Sequence, residues 1–351
     1  MLSFITRRLL LGILTLFGVI LITFILVRVV PSDPAAQWVG GRATPAQIEA
    51  AREELGLDKP IYMQFKVYIT ELLKGNLGYS LMSHKPVSEE LKKRFPATLE
   101  LVLVSCFVAL LIGLPLGLAS AKAKNSWIDH FSRFFSIGAI SIPTFWLALV
   151  LQLIFFMILG LLPSGGQLSM RIKLFQDIPH ITGFMFLDSL ITGNFAILKD
   201  FLKHLILPAI CVGAYTIGLV ARMTRSALLE ILNEDYIKAA RSYGLSERLI
   251  LYSYALKNSL GPTVTAVTLA MGYALMNTFL VESIFSWPGI GKYVADAVIC
   301  LDYPAIMGVT ILAACAYVIL NLIVKESDIP SKREKKEYRK KRRVRRVKAI
   351  L

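Results

Sequence analysis

The sequence is built around apolar runs that are too long for the core of a soluble domain. One covers residues 9–30 with no charge before Arg28, and others cover about 99–121, 134–162, 205–220, 261–285 and 305–324. A hydrocarbon core of about 30 Å is crossed by about 20 residues of α-helix. Inside it every backbone N–H and C=O must be satisfied without water, which leaves only helices or a closed barrel. Barrel strands would show as alternating segments of about ten residues, and none appear. The runs therefore predict an all-α polytopic membrane protein with about six transmembrane helices. Composition agrees: 18% of residues are charged, against roughly 25% in ordinary soluble domains.

Arg7 and Arg8 precede the first run, as they would in a secretory signal. The run exceeds a typical signal core and no small-residue cleavage pattern follows, so it is expected to remain as the first span. Basic residues in short loops favour the cytoplasm, which places the N-terminus inside. With six spans, segment 121–133 (Lys122, Lys124, Arg133), segment 221–260 (Arg222, Arg225, Lys238, Arg241, Arg248, Lys257) and the C-terminus also fall inside. The outer segment 286–304 holds a single basic residue, Lys292. The expected location is the plasma (inner) membrane, with both termini cytoplasmic.

Four regions follow from this layout. Residues 1–30 form the N-terminus and first span. Residues 31–97 form an extracytoplasmic loop with short helices, including an amphipathic one over 45–55 capped by Thr44 and followed by a turn at Asp58-Lys59-Pro60. Residues 98–324 form a five-helix core with a cytoplasmic segment at 226–259, and 325–351 a basic tail expected to be disordered. The tail carries thirteen Lys/Arg against four acids. Directly after a span, it fits anionic lipid headgroups ahead of a protein partner, and nucleic acid fits least.

Nothing in the chain assembles into an enzyme site. Gly291-Lys292 precedes Tyr293 and lacks the upstream glycine of a phosphate-binding loop. Cys106, Cys211, Cys300 and Cys315 show no metal or disulfide spacing, and His84, His130, His180 and His204 are isolated. No catalytic residue, resident metal or cofactor is expected.

The most informative stretch is Asn233-Glu234-Asp235-Tyr236-Ile237-Lys238-Ala239-Ala240-Arg241-Ser242-Tyr243-Gly244-Leu245. Asn233 or Asp235 suits a helix start and Gly244 a left-handed stop. Tyr236, Ala239, Ala240 and Tyr243 share one face, with Lys238, Arg241 and Ser242 opposite. Two turns of helix are too short to persist alone, so this helix must dock, either on its own subunit or on a partner. Ser246 is placed to cap a second helix running through Leu256.

Lys238-Ala239-Ala240, three residues and then Gly244 resembles the EAA loop of permease subunits of ABC importers. Lys238 stands where that loop usually has Glu, and no Pro follows Leu256 until Pro262, as in the dipeptide/oligopeptide/nickel branch. The likeness extends over nearly all of the chain to about residue 324 through Pro31-Ser32-Asp33-Pro34, Leu55-Gly56-Leu57-Asp58-Lys59-Pro60 and Pro96-Ala97-Thr98-Leu99-Glu100-Leu101. It continues in Ser141-Ile142-Pro143-Thr144-Phe145, Leu162-Pro163-Ser164-Gly165-Gly166, His204-Leu205-Ile206-Leu207-Pro208 and Ala221-Arg222-Met223-Thr224-Arg225-Ser226. Glu282-Ser283-Ile284-Phe285-Ser286-Trp287-Pro288-Gly289-Ile290-Gly291 and Asp302-Tyr303-Pro304 complete it. The branch usually ends soon after its last span, and the basic tail departs from that pattern.

The resemblance implies a type I ABC importer permease fold working by alternating access, with peptide cargo; nickel chelates or oligosaccharides are the alternative cargo. It implies a second homologous permease, two ABC ATPase subunits that hold ATP and Mg, and an extracytoplasmic substrate-binding protein as partners. It also makes Glu234, Asp235, Tyr236, Lys238, Ala239, Ala240, Arg241, Gly244 and Leu245 the helix that couples to the ATPase. Polar residues, Pro and Gly in spans mark pathway candidates because lipid penalises them: Pro143, Gln152, Asn277, Glu282, Trp287, Pro288 and Gly289. Glu282 reads either as part of an outer gate or as an interfacial acid beside an aromatic anchor, and Gln152 and Asn277 either line the pathway or bond to neighbouring helices. Pro143 is expected to kink the third span. A channel or ion-driven transporter would need mid-span acids, and these are nearly absent.

Overall fold

A computed structural model describes residues 2–29, 33–40, 42–178 and 181–327. The basic tail from residue 328, with its expected disorder and lipid contact, lies outside them, as do Pro31, Ser32 and His180.

The first run is α1 (Leu2–Val29). Three short helices follow: α2 (Pro34–Val39), α3 (Pro45–Glu54) and α4 (Ile61–Leu73). Thr44 closes a reciprocal capping box with Gln47, which explains why α3 starts where it does. Arg52 on α3 pairs with Asp33, the cap of α2, at 2.7 Å. Phe24 of α1 meets Phe65 and Tyr68 of α4 at ring-centroid distances of 5.1 and 5.9 Å. These contacts seat the loop against the first span.

The second span, α5 (Val87–Lys122), starts earlier than expected, so residues 87–97 are helix and not loop. It holds Pro96 and Pro115 in its interior, which spanning helices tolerate because neighbouring groups satisfy the freed carbonyls. Residues 123–126 alone separate it from α6 (Trp127–Ser141), so the inner loop expected over 121–133 is mostly helix.

The third run is not one helix. At Ile142-Pro143 it turns by 105° into α7 (Thr144–Leu151), which continues as a π-helical turn over Gln152–Ile158. Pro143 lacks an N–H and forces Ile142 out of the helical region (ψ 126°). The expected kink is a full break. Two short helices, α8 (Met170–Phe175) and α9 (Met185–Ile191), lead to the fourth span, α10 (Phe195–Leu232).

Beyond it come α11 (Asp235–Ser242) and α12 (Glu247–Leu249), the latter running through a π-helical stretch, Ile250–Leu256, into α13 (Lys257–Ile284). Ser246 caps α12 as expected. The fifth span is itself bent, by 58° between Leu275 and Asn277. Residues 286–304, expected as a plain loop, contain α14 (Ile290–Ile299), and α15 (Tyr303–Ser327) supplies the sixth apolar run. Among the described residues three unbroken helices are long and apolar enough to cross a membrane, two further candidates are bent pairs, and Tyr303–Ile319 is a shorter apolar stretch.

α10 is the hub. Of its apolar window 78% is buried inside the protein, against 6% for α1, where Leu10, Leu11, Leu14 and Leu26 are exposed. Apolar area alone gives no reason for two helices to approach closely in lipid, so small residues set the contact. A Cβ on Gly117 of α5 would lie 2.6 Å from the Ala221 carbonyl of α10.

Candidate coupling helix and the two ends of the bundle

Two polar clusters sit near opposite ends of α5, at Thr98 and Ser120. At 1.5 Å per residue they are about 33 Å apart, roughly one hydrocarbon thickness.

At the Ser120 end, Asp129 in the first turn of α6 is fully buried. Arg225 of α10 donates to it through Nε and Nη2 at 2.7 and 2.8 Å. The Ser120 hydroxyl of α5 donates at 2.6 Å and the Asn125 N–H at 2.9 Å. Three helices are thus tied through one carboxylate, and bidentate charge-assisted bonds of this kind are the strong ones. The sequence marked Arg225 as a topological charge and as part of the 221–226 motif, without a partner, and Asp129 was not singled out. The available signal was an acid in the first turn of a helix whose second half is mostly apolar.

α10 ends at Asn233, which is its C-cap, and Glu234 is the N-cap of α11 without a side-chain bond. This corrects the expectation that Asn233 or Asp235 caps the helix; Asp235 is its first residue. At the other end the Leu245 N–H donates to Ala240 O and the Gly244 N–H to Arg241 O. That is a Schellman stop, with Gly244 at φ +77° as its left-handed residue.

The buried face also differs from expectation. Ile237 and Ala240 point inward, against Ala121, Leu228, Ile250, Leu251 and Ala255, with Leu245 partly buried beside them. Tyr236, Ala239 and Tyr243 face outward, and Tyr243 is 85% exposed. At 100° per residue Ile237 and Ala240 share a side that excludes Ala239; the aromatic character of the tyrosines had suggested burial. Lys238 pairs with Asp235 at 3.1 Å, and Arg241 forks onto Glu247 at 2.7 and 3.2 Å. The Arg241 hydrogen bond draws the Glu247 carboxyl below its ordinary value.

At the Thr98 end, three motifs far apart in sequence converge. Glu282 and Trp287 are both fully buried, so Glu282 is not an acid lying beside an exposed aromatic anchor. Thr98 donates to Glu282 Oε1 at 2.8 Å and accepts from the Ile290 N–H at 2.8 Å. The Lys292 N–H donates to Glu282 Oε2 at 3.0 Å. Trp287 Nε1 donates to Ala97 O at 2.9 Å, and its ring packs on Phe201. Gly289, after Pro288, must lack a side chain, because a Cβ there would overlap Glu282 Oε2 and Thr98 Oγ1. The Gly166 N–H donates to Phe285 O at 2.6 Å, and Gln152 Nε2 holds the same loop through Ser164 O at 2.6 Å. Asn277 bonds only within its own helix, to Tyr273 O at 2.9 Å.

The segment 181–194 is organised by Asp188, which accepts from the N–H groups of Ile181, Thr182 and Gly183 and from the Thr182 hydroxyl at 2.6–3.1 Å. Burial pushes this carboxyl up, but the four donors outweigh it and leave it below the usual carboxylate range. A lowered folded value means that its stabilisation is complete above the unfolded value of about 3.9 and is lost as pH falls through the folded value. Hydrogen-exchange protection of this segment, corrected for the intrinsic pH dependence of amide exchange, is expected to be flat above about pH 4 and to fall below it. Asp188→Asn should exchange faster at neutral pH and lose most of that pH response; an unaltered profile would refute the assignment.

Among the described residues there is no group of three or more potential metal ligands. Broken apolar helices, a docked surface helix and buried polar clusters define a polytopic helical membrane protein.

The family described as "Binding-protein-dependent transport system inner membrane component" matches residues 113–325, and its N-terminal companion matches residues 1–102. The chain is 45% identical to a probable D,D-dipeptide transport system permease protein of Escherichia coli K12, covering 89% of this chain and 91% of that one. It is 43% identical to a di/tripeptide transport system permease protein of Pseudomonas aeruginosa, covering 92% and 96%. It is 35% identical to a glutathione transport system permease protein of Salmonella paratyphi A, covering 92% and 95%. Among solved structures it is similar to the inward-facing MetNI methionine ABC transporter, with a TM-score of 0.45 and 18% identity over 66% of this chain and 93% of that one.

The chain belongs to the binding-protein-dependent transport system inner membrane components. It is a multi-pass permease subunit of an ABC importer and not an enzyme, and its membership implies separate ATPase and substrate-binding partners.

Proposed function

We propose that the subunit imports di- and oligopeptides by alternating access, driven through α11 by two ABC ATPases that hold ATP and Mg. A second homologous permease completes the pathway, an extracytoplasmic binding protein delivers the peptide, and both termini face the cytoplasm. The observation that carries the coupling role is the exposed stripe Tyr236, Ala239 and Tyr243 on a helix whose opposite face is anchored by Ile237 and Ala240. A lever needs both: a free face to receive force and a packed face to pass it on. The packed face rests on the ends of α5 and α10, next to the Asp129–Arg225 pair.

The named cargoes of the relatives, D,D-dipeptides, di/tripeptides and glutathione, support a short peptide. The outer cluster at Glu282, Trp287 and Gly289 ties the ends of α5 and α13 where an outward opening would form, which supports a gate there, with the break at Pro143 as a hinge. Gln152 and Asn277 serve as structural bonds.

Ala239→Trp enlarges the free face without disturbing the anchored one, unlike a bulky residue at buried Ala240. Reconstituted complexes with this change are expected to keep assembly and basal ATP hydrolysis while peptide uptake falls at least tenfold, the scale of about 1.4 kcal/mol of lost coupling. Uptake unchanged at equal assembly would remove α11 from the coupling role. Uptake of nickel chelate or oligosaccharide but not of labelled dipeptide would overturn the cargo.

A further inference from the structure

Beside α11, the inner turn between α5 and α6, the end of α10 and the start of α12 enclose a cavity of about 610 Å³, within the range of small-molecule sites. Four cationic side chains line it, Lys122, Lys124, Arg241 and Arg248, against one acid, Glu247. Glu247 is committed to Arg241 by the fork described above. Lys122, Lys124 and Arg248 make no ion pair among the described residues. The remaining lining is largely apolar, with Leu229, Leu232 and Leu251 as the floor.

Three unneutralised cations around one hollow repel one another and favour an anion there. A small inorganic anion would account for the cations and not for the leucines. A molecule with a phosphate at one end and hydrocarbon at the other accounts for both, and basic pockets between helices at a cytoplasmic membrane surface are suited to such headgroups. We propose that this cavity seats the phosphate headgroup of an anionic phospholipid, with an acyl chain along the leucine floor.

The site does not compete with the ATPase contact. On α11, Arg241 lies on the opposite flank of the buried Ile237–Ala240 face from Tyr236. The Tyr236 hydroxyl meets Asn258 at 3.2 Å, whereas Arg241 turns to Glu247. A bound lipid would bridge the α5–α6 turn to the base of the coupling helix, so that membrane composition adjusts how firmly the lever is held. The inference rests on the reading that this end faces the cytoplasm.

The test uses the whole permease–ATPase complex in nanodiscs of phosphatidylcholine with or without phosphatidylglycerol, with retained lipid counted by native mass spectrometry. The wild type is expected to retain phosphatidylglycerol, and Lys122→Gln/Lys124→Gln/Arg248→Gln to lose it. At roughly fivefold per cation near the surface, affinity should fall about a hundredfold. Lys124→Gln alone, at an exposed position, should lower it about fivefold and covers the case in which the triple variant fails to fold.

Equal retention in wild type and variants would overturn the proposal. Displacement of the lipid by millimolar inorganic phosphate would also overturn it, in favour of a free anion. Loss of ATPase co-purification from the triple variant in pure phosphatidylcholine would overturn it in favour of a partner contact. Lipid retention is read without reference to sidedness. Maleimide labelling of Lys124→Cys in a Cys300→Ser background, from one side of the membrane at a time, tests the orientation separately.

Discussion

Asp129→Ala is expected to lower the stability of the subunit by about 2–3 kcal/mol, because it strands a partly buried guanidinium that loses its charged hydrogen-bond partner. Arg225 lies with its side chain 21% exposed and gives two of its donors to Asp129. Without the carboxylate it keeps its charge and loses its partner, while Ser120 and the Asn125 N–H lose their acceptor. Arg133, at 3.7 Å from Asp129 and more exposed, cannot substitute, since it carries the same sign. The expected readout is a large fall in melting temperature in detergent and poor recovery of the assembled complex. Removing both charges should hurt less than removing one: Asp129→Leu/Arg225→Met is expected to recover much of the loss. A single variant that melts like the wild type, or a double variant no better than the single, would refute the cluster's role.

Trp287→Ala is expected to cost about 3–5 kcal/mol, the range for deleting a fully buried large aromatic. The indole lies in the main apolar core with Ala97, Leu101, Phe201 and Phe285, and its N–H satisfies the Ala97 carbonyl. Trp287→Phe keeps most of the volume and removes the hydrogen bond, so about 1 kcal/mol is expected. An aromatic anchor exposed at the membrane interface would behave differently, since both changes would then be mild and would depend on lipid. Thermal unfolding of the two variants, in detergent and in nanodiscs, separates the cases. A mild effect of Trp287→Ala in both media would count against the outer cluster as a fastening between α5 and the turn after α13.

Much of the architecture was legible from residue types. The apolar runs located the long apolar helices because a span demands about 20 apolar residues, and the helix expected over 45–55 was legible from Thr44, whose cap is local. Gly244 was legible as a stop for the same reason. The inward face of α11 was not, because two turns of mixed Ala, Tyr and Ile allow more than one apolar stripe. The neighbours that choose Ile237 come from α5, α10 and the stretch before α13. The break at Pro143 was visible as a kink and not as a 105° turn, since proline removes a bond but neighbouring helices set the angle.

The polar clusters were hidden for another reason. Thr98 and Glu282 are 184 residues apart, and Asp129 and Arg225 are 96 apart, so no local pattern links either pair. The sequence by itself determined that this chain must live in a bilayer, where its long apolar runs lie and where the short helix after α10 stops. These follow from solvation and from hydrogen bonds made within a few residues. The tertiary structure alone decided which face of that helix is free, which charges are buried together and how α5 fastens both ends of the bundle. Those outcomes depend on partners brought together only by packing.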